Sequence, residues 1–185
     1  MSTKTPAMFR ARCFERNPRE GETRMLTTEQ LLNGLPPDLT LRFFAKFARM
    51  EFALKQRRLL RFTAEGEVAQ IGQPSLVVRL GAEFFAAVHS AQMAETLIAI
   101  PPKHFLVDGN GGVEFGAQPA DIETTSDLIG ATWRVRNNLF HGNKLFPANR
   151  ERDERLMTDA LAVLDMILQA LPDVSSAFQE PQQYF

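Results

Sequence analysis

Between residues 38 and 60, apolar side chains return every three or four positions: Phe43, Phe44, Phe47, Met50 and Leu54. That period lines one face of a 3.6-residue helix. It predicts a long helix from an Asp38 or Thr40 cap to about Leu60. Residues 75–99, "SLVVRLGAEFFAAVHSAQMAETLIA", predict a second helix, closed by "PPK". A third is expected over about 122–139, where Gly142 and Asn143 supply a stop. A fourth runs from an Asn149 cap to about Ala170 on the apolar set Leu156, Leu161, Val163, Leu164, Ile167 and Leu168. A short helix at "TTEQLLNG" takes Thr27 or Thr28 as its cap.

One stretch has the period of a strand instead. "HFLVDGNGGVEFG" places Phe105 and Val107 before an Asp108–Gly112 turn, and Val113 and Phe115 after it, which predicts a β-hairpin. "GNGG" lacks the lysine and serine or threonine of a phosphate-binding loop and precedes a strand-like segment, so it reads as a turn. The expected fold is therefore all-α, a mainly helical bundle of about four long helices, with one short β-hairpin insertion near 103–116. Residues 1–37 form an N-terminal extension, 38–171 the helical domain, and 172–185 an irregular C-terminal tail.

Composition narrows the class. With 185 residues the chain is long enough for one domain with a proper core, and 44% hydrophobic residues argue against wholesale disorder. Fifteen Phe against one Tyr and one Trp indicate a Phe-rich core. The longest apolar segment is interrupted by Arg79, Glu83, His89 and Glu95, which excludes a simple membrane span. No secretory signal is visible in residues 1–20. The single cysteine, Cys13, fits a reducing cytoplasm and has no metal-site spacing around it. No metal and no cofactor are expected.

Net charge is -1, but its distribution is uneven. Residues 42–61 hold Arg42, Lys46, Arg49, Lys55, Arg57, Arg58 and Arg61 against the single acid Glu51. Residues 128–150 hold Arg134, Arg136, Lys144 and Arg150 and no acid. Such runs mark either a nucleic-acid contact or solvated faces balanced by acids elsewhere in the fold. Glu51 lies on the apolar stripe between Phe47 and Leu54. A carboxylate there needs a partner if buried: Arg136, or Lys55 one turn on at the surface.

The candidate chemistry is concentrated in "WRVRNNLFHGNK", residues 133–144. At about 100° per residue, Ile129, Trp133, Arg136 and Phe140 share one face. Arg136 and His141 are five apart, about 140° around the helix, and converge only where the helix frays or a second copy completes the site. From spacing alone, the same residues also read as an ordinary cationic helix end.

"RNNLFH", Arg136 to His141, resembles the arginine–polar–three residues–histidine motif of the HEPN superfamily, helical nucleotide- and RNA-binding domains found in toxins, phage-defence proteins and RNA-processing factors. The resemblance covers about 39–171, and the hairpin looks like an insertion. It implies a metal-independent endoribonuclease acting as a homodimer, with Arg136, Asn137 and His141 as catalytic positions. Glu51 and Asn138 would support them, Arg134 and Lys144 would contact RNA, and an antitoxin or regulatory protein would be a further partner. The alternative is a catalytically silent module of the same kind that binds RNA, a nucleotide or a protein.

Overall fold

The computed structural model describes residues 25–32, 34–140 and 149–180. Among these, eight helices surround one core and a small two-stranded sheet stands at its edge. Helix α1 (Thr28–Leu31) is capped by Thr27, whose hydroxyl accepts from Gln30 N while Gln30 Oε1 accepts from Thr27 N. Helix α2 (Pro37–Gln56) begins slightly earlier than the Asp38 or Thr40 caps predict. Pro37 occupies its first turn, where a missing N–H costs nothing. The helix also ends four residues before Leu60, because Arg58 turns to φ 59° and Leu59 N bonds back to Leu54 O at 3.0 Å. Its buried face carries Phe43, Phe47, Met50, Ala53 and Leu54.

The second long helix expected over 75–99 is three shorter ones: α3 (Gln73–Leu80), α4 (Glu83–Ser90) and α5 (Glu95–Ala99). Left-handed residues break the run, Gly81 at φ 77° and Gln92 and Ala94 at 52° and 72°. The reason is geometric. A straight helix presents one stripe to one neighbour. Turning twice lets α3 pack on α6, and α4 and α5 on both α6 and α7, while Leu76, Phe84, Val88 and Leu97 are all buried. The apolar period marks these residues as core-facing but does not record that they face different walls.

Strands β1 (Phe105–Val107) and β2 (Val113–Phe115) pair antiparallel, with Phe105 opposite Phe115 and Val107 opposite Val113. Asp108 Oδ1 accepts from Asn110 N at 2.8 Å and Gly112 N at 2.7 Å, so a carboxylate fills the "GNGG" turn from inside. Helix α6 (Thr125–Phe140) follows, then α7 (Arg150–Ala170), capped by the Asn149 side chain as expected. The tail is not irregular throughout. Residues Pro172–Gln179 form α8, bent 111° from α7 and packed on α2 through buried Val174 and Ala177. Pro172 explains both events: it lacks the N–H that would extend α7, and it suits the first turn of a new helix. No single helix among the described residues is long and apolar enough to cross a membrane.

Candidate nucleic-acid site on helix α6

Helix α6 is fixed at its start by Thr124 and Asp127. The Thr124 hydroxyl accepts from Asp127 N, and Asp127 Oδ2 accepts from Thr124 N, each at 3.1 Å. Along its length Leu128, Ile129, Ala131, Trp133 and Val135 are buried, and the Trp133 ring meets Phe47 of α2 edge-on at 5.4 Å. Ile129 and Trp133 therefore lie inside a single chain. Both have their partners within the fold.

The polar residues of the motif divide between two flanks of α6. Arg136 faces α2, where its Nη2 lies 3.6 Å from Glu51 Oε1, with both side chains largely but not wholly covered. Its Nη1 donates to Asn137 Oδ1 at 3.0 Å, and Asn137 is exposed. The pairing of Glu51 across from α2 is the one its place on the apolar stripe anticipates. Arg134 and Asn138, one turn apart, face the segment 100–104 instead. Arg134 Nη1 donates to Pro102 O at 2.9 Å, and Asn138 Nδ2 to Lys103 O at 3.0 Å. Asn138 is buried; Arg134 is half-buried, and that burial pulls its guanidinium below the ordinary value, with Asp127 partly opposing. Both residues thus hold the backbone of another element, and Arg134 has its guanidinium on a carbonyl rather than extended into solvent. His141 and Lys144 lie outside the described residues.

Pattern reasoning gave His104 no assigned role. It is exposed at the start of the hairpin, and its imidazole is held below its usual value, first by desolvation and then by the Arg134 guanidinium. Arg152 of α7 joins the same segment by donating to Ile100 O at 2.9 Å. The sequence signal was "PPKH": two successive prolines keep the segment out of a helix or a sheet ladder, so its carbonyls take donors from elsewhere.

Of the seven cations in residues 42–61, Lys46, Arg49 and Arg57 bond to α7 or to the α8 segment. Lys46 pairs with Asp165 of α7. Arg49 Nε donates to Phe178 O at 2.6 Å, and Arg57 Nε to Asp173 O at 2.8 Å, both on α8. Arg57 also meets Glu180, and Arg79 of α3 meets Asp173 at 2.5 Å, which holds the Asp173 carboxyl below the usual carboxylate range. The balance by acids elsewhere, open on the sequence alone, accounts for Lys46 and Arg57 of this segment.

No family model, curated protein or solved structure matches the chain. The chemistry open to α6 is therefore that of its own residues. It holds a guanidinium and an exposed amide at one flank, and at the other a guanidinium and a buried amide that donate to the carbonyls of Pro102 and Lys103. Among the described residues no three His, Cys, Asp or Glu side chains gather as a metal set.

Proposed function

We propose that the chain is an endoribonuclease of the HEPN kind, cleaving RNA without a metal by attack of the 2′ hydroxyl on the adjacent phosphorus. The observation that carries this reading is Arg136. A permanently charged guanidinium at the end of α6 is held between the Glu51 carboxylate and the Asn137 amide, so it is positioned before any ligand arrives. Arginine in such a place suits a phosphodiester, because its planar fork holds two phosphoryl oxygens as negative charge grows on them. Asn137 keeps its amide hydrogens for a phosphate or for orienting an imidazole. His141, five residues on, is the proton-transfer group, since imidazole titrates near neutrality. In this reading α3 to α5 stand in for the second long helix of a four-helix bundle. Two protomers bring their motif ends to one cleft, and the protein works in the cytoplasm as a toxin or phage-defence effector held in check by a regulatory partner.

A second reading is favoured by Arg134, Asn138 and the α2 cations. Their engagement with carbonyls and acids of the same chain leaves fewer charges for RNA, as in a silent binding module. One assay separates the two. Purified protein is incubated with structured and unstructured RNA in EDTA, beside His141→Ala and Arg136→Lys. The nuclease reading expects 2′,3′-cyclic phosphate ends, a loss of about 10²–10⁴ in rate for His141→Ala with RNA binding retained, and a clear loss for Arg136→Lys. A parent protein that binds RNA and never cleaves it would establish the silent module.

A further inference from the structure

We propose that the end of helix α2 and the turn after it form a track for single-stranded RNA beside Arg136. In it Lys55, Arg58 and Arg61 contact successive phosphates, and the Phe62 ring stacks on a base. The proposal rests on the RNA reading of α6 above and adds the class of strand that the site takes.

The geometry begins with the cations that the fold does not engage. Among the described residues, Lys55, Arg58 and Arg61 form no ion pair and no side-chain hydrogen bond. They stand together where α2 stops at Gln56. Two contacts bring this end of α2 to the end of α6. Phe47 meets Trp133, and Glu51, one turn on, meets Arg136, also one turn on. The two helices therefore run in the same sense here. Lys55 follows Glu51 on the same face, about 6 Å further along. The turn after α2 stays at this end. Arg61 N donates to Gln70 O and Gly72 N to Leu59 O, each at 2.9 Å, so residues 59–72 leave and return at one place. Lys55 is half-buried, whereas Arg58, Arg61 and Phe62 are exposed.

The chemistry fits a single strand. Arg58 has φ 59°, directly after the α2 C-cap, with its N–H on Lys55 O. Glycine enters that left-handed turn freely, whereas arginine does so under strain. Such strain clusters at ligand sites, and here it displays a guanidinium beside Lys55. Phe62 is 44% exposed, with the Arg61 guanidinium 5.0 Å from its ring centroid. An exposed ring beside arginines suits a strand whose every base has a π face and whose every link is a phosphate. A duplex keeps its bases stacked on one another and offers the ring no partner. Glu65 and Glu67 lie at the tip of the loop, where Glu67 N meets Ala64 O, and pair with none of these cations.

The test measures binding rather than cleavage. The probe is a fluorescein-labelled oligomer of 2′-O-methyl uridine, which lacks the hydroxyl needed for attack, in EDTA across a salt series. The full-length parent is compared with Lys55→Gln, Arg58→Gly, Arg61→Gln, Phe62→Ala and Phe62→Trp. The control is Arg42→Gln, an exposed cation without an ion pair near the other end of α2. Each lost track cation is expected to weaken binding and to make log K against log salt shallower by about 0.7. Phe62→Ala should weaken binding about 5–150-fold with the salt dependence unchanged, and Phe62→Trp should restore it. Arg42→Gln matches the parent, and a duplex of the same length binds more weakly. Arg58→Gly puts the usual residue in the left-handed turn and melts no earlier than the parent. If another variant melts early, crosslinking of 4-thiouridine RNA to the parent replaces it, and a map that omits residues 55–62 overturns the proposal. Parental binding by Arg58→Gly and Phe62→Ala, with Arg136→Gln weakened, refutes the track and leaves the α6 reading standing. An equal loss in Arg42→Gln reduces the effect to general charge, and a preference for the duplex refutes the stacking role. Polyglutamate bound more tightly than the oligomer assigns the patch to an acidic protein instead. A parent that binds no RNA removes the α6 reading and the track with it.

Discussion

Glu51 is a single side chain whose position dictates what must lie beside it. A carboxylate between Phe47 and Leu54 sits where helical period places core, and burial without a partner is costly. The partner is Arg136, at 3.6 Å. Because the pair keeps some contact with water, its contribution is modest. Glu51→Ala is expected to lower stability by about 0.2–1 kcal/mol in urea unfolding and to slow RNA cleavage by loosening Arg136. A variant that unfolds and cleaves like the parent would reduce Glu51 to a surface residue. Asn138 was legible only as a polar residue in a motif. Its amide bonds a carbonyl 35 residues away, and no local pattern records which backbone will arrive beside it.

At the scale of elements, α5 depends on a cap from elsewhere. Its own N-cap, Ala94, has no side chain to offer, and Asp159 of α7 accepts from Leu97 N at 2.8 Å in its place. Burial raises the Asp159 carboxyl above its ordinary value, aided by Glu95 and opposed by the Leu97 and Thr96 amides and by Arg155. With the folded pKa above the unfolded one, the folded state holds the proton more tightly. The associated stability is fully present below the unfolded pKa and is lost as pH rises through the raised value. Asp159→Asn keeps an acceptor for Leu97 and removes the buried charge. It is expected to unfold no more easily than the parent at pH 7 and to lose that advantage as pH falls through the raised pKa. Asp159→Ala loses the cap and should cost about 1 kcal/mol. Chemical unfolding of the three proteins across pH checks both; a steeper gain for the parent with rising pH would contradict the burial argument. The hairpin, by contrast, was readable, because alternation and an Asp-Gly turn are local signals. The breaks in 75–99 were not: Gly81 is a visible weak point, but the left-handed Gln92 and Ala94 carry no such mark.

For the whole molecule, α8 closes the core against α2. Val174 is fully buried there, and Arg49 and Arg57 grip the carbonyls of Phe178 and Asp173. Val174→Ala should cost about 2 kcal/mol by leaving a cavity under α8, read as a lower urea midpoint; an unchanged midpoint would show that α8 adds little to the core. The sequence by itself determined the helical class, the long helices α2, α6 and α7, the hairpin and the gathering of Arg136, Asn137 and Asn138 on one helix, because these follow from period, caps and turn residues within a few positions. Only the tertiary structure decided that 75–99 bends twice, that 172–179 is a helix of the core, that Ile129 and Trp133 find their partners within one chain, and that Arg134 and Asn138 hold the carbonyls of Pro102 and Lys103. Each of those outcomes joins residues tens of positions apart, where long-range packing and the need of buried carbonyls for donors select the partner.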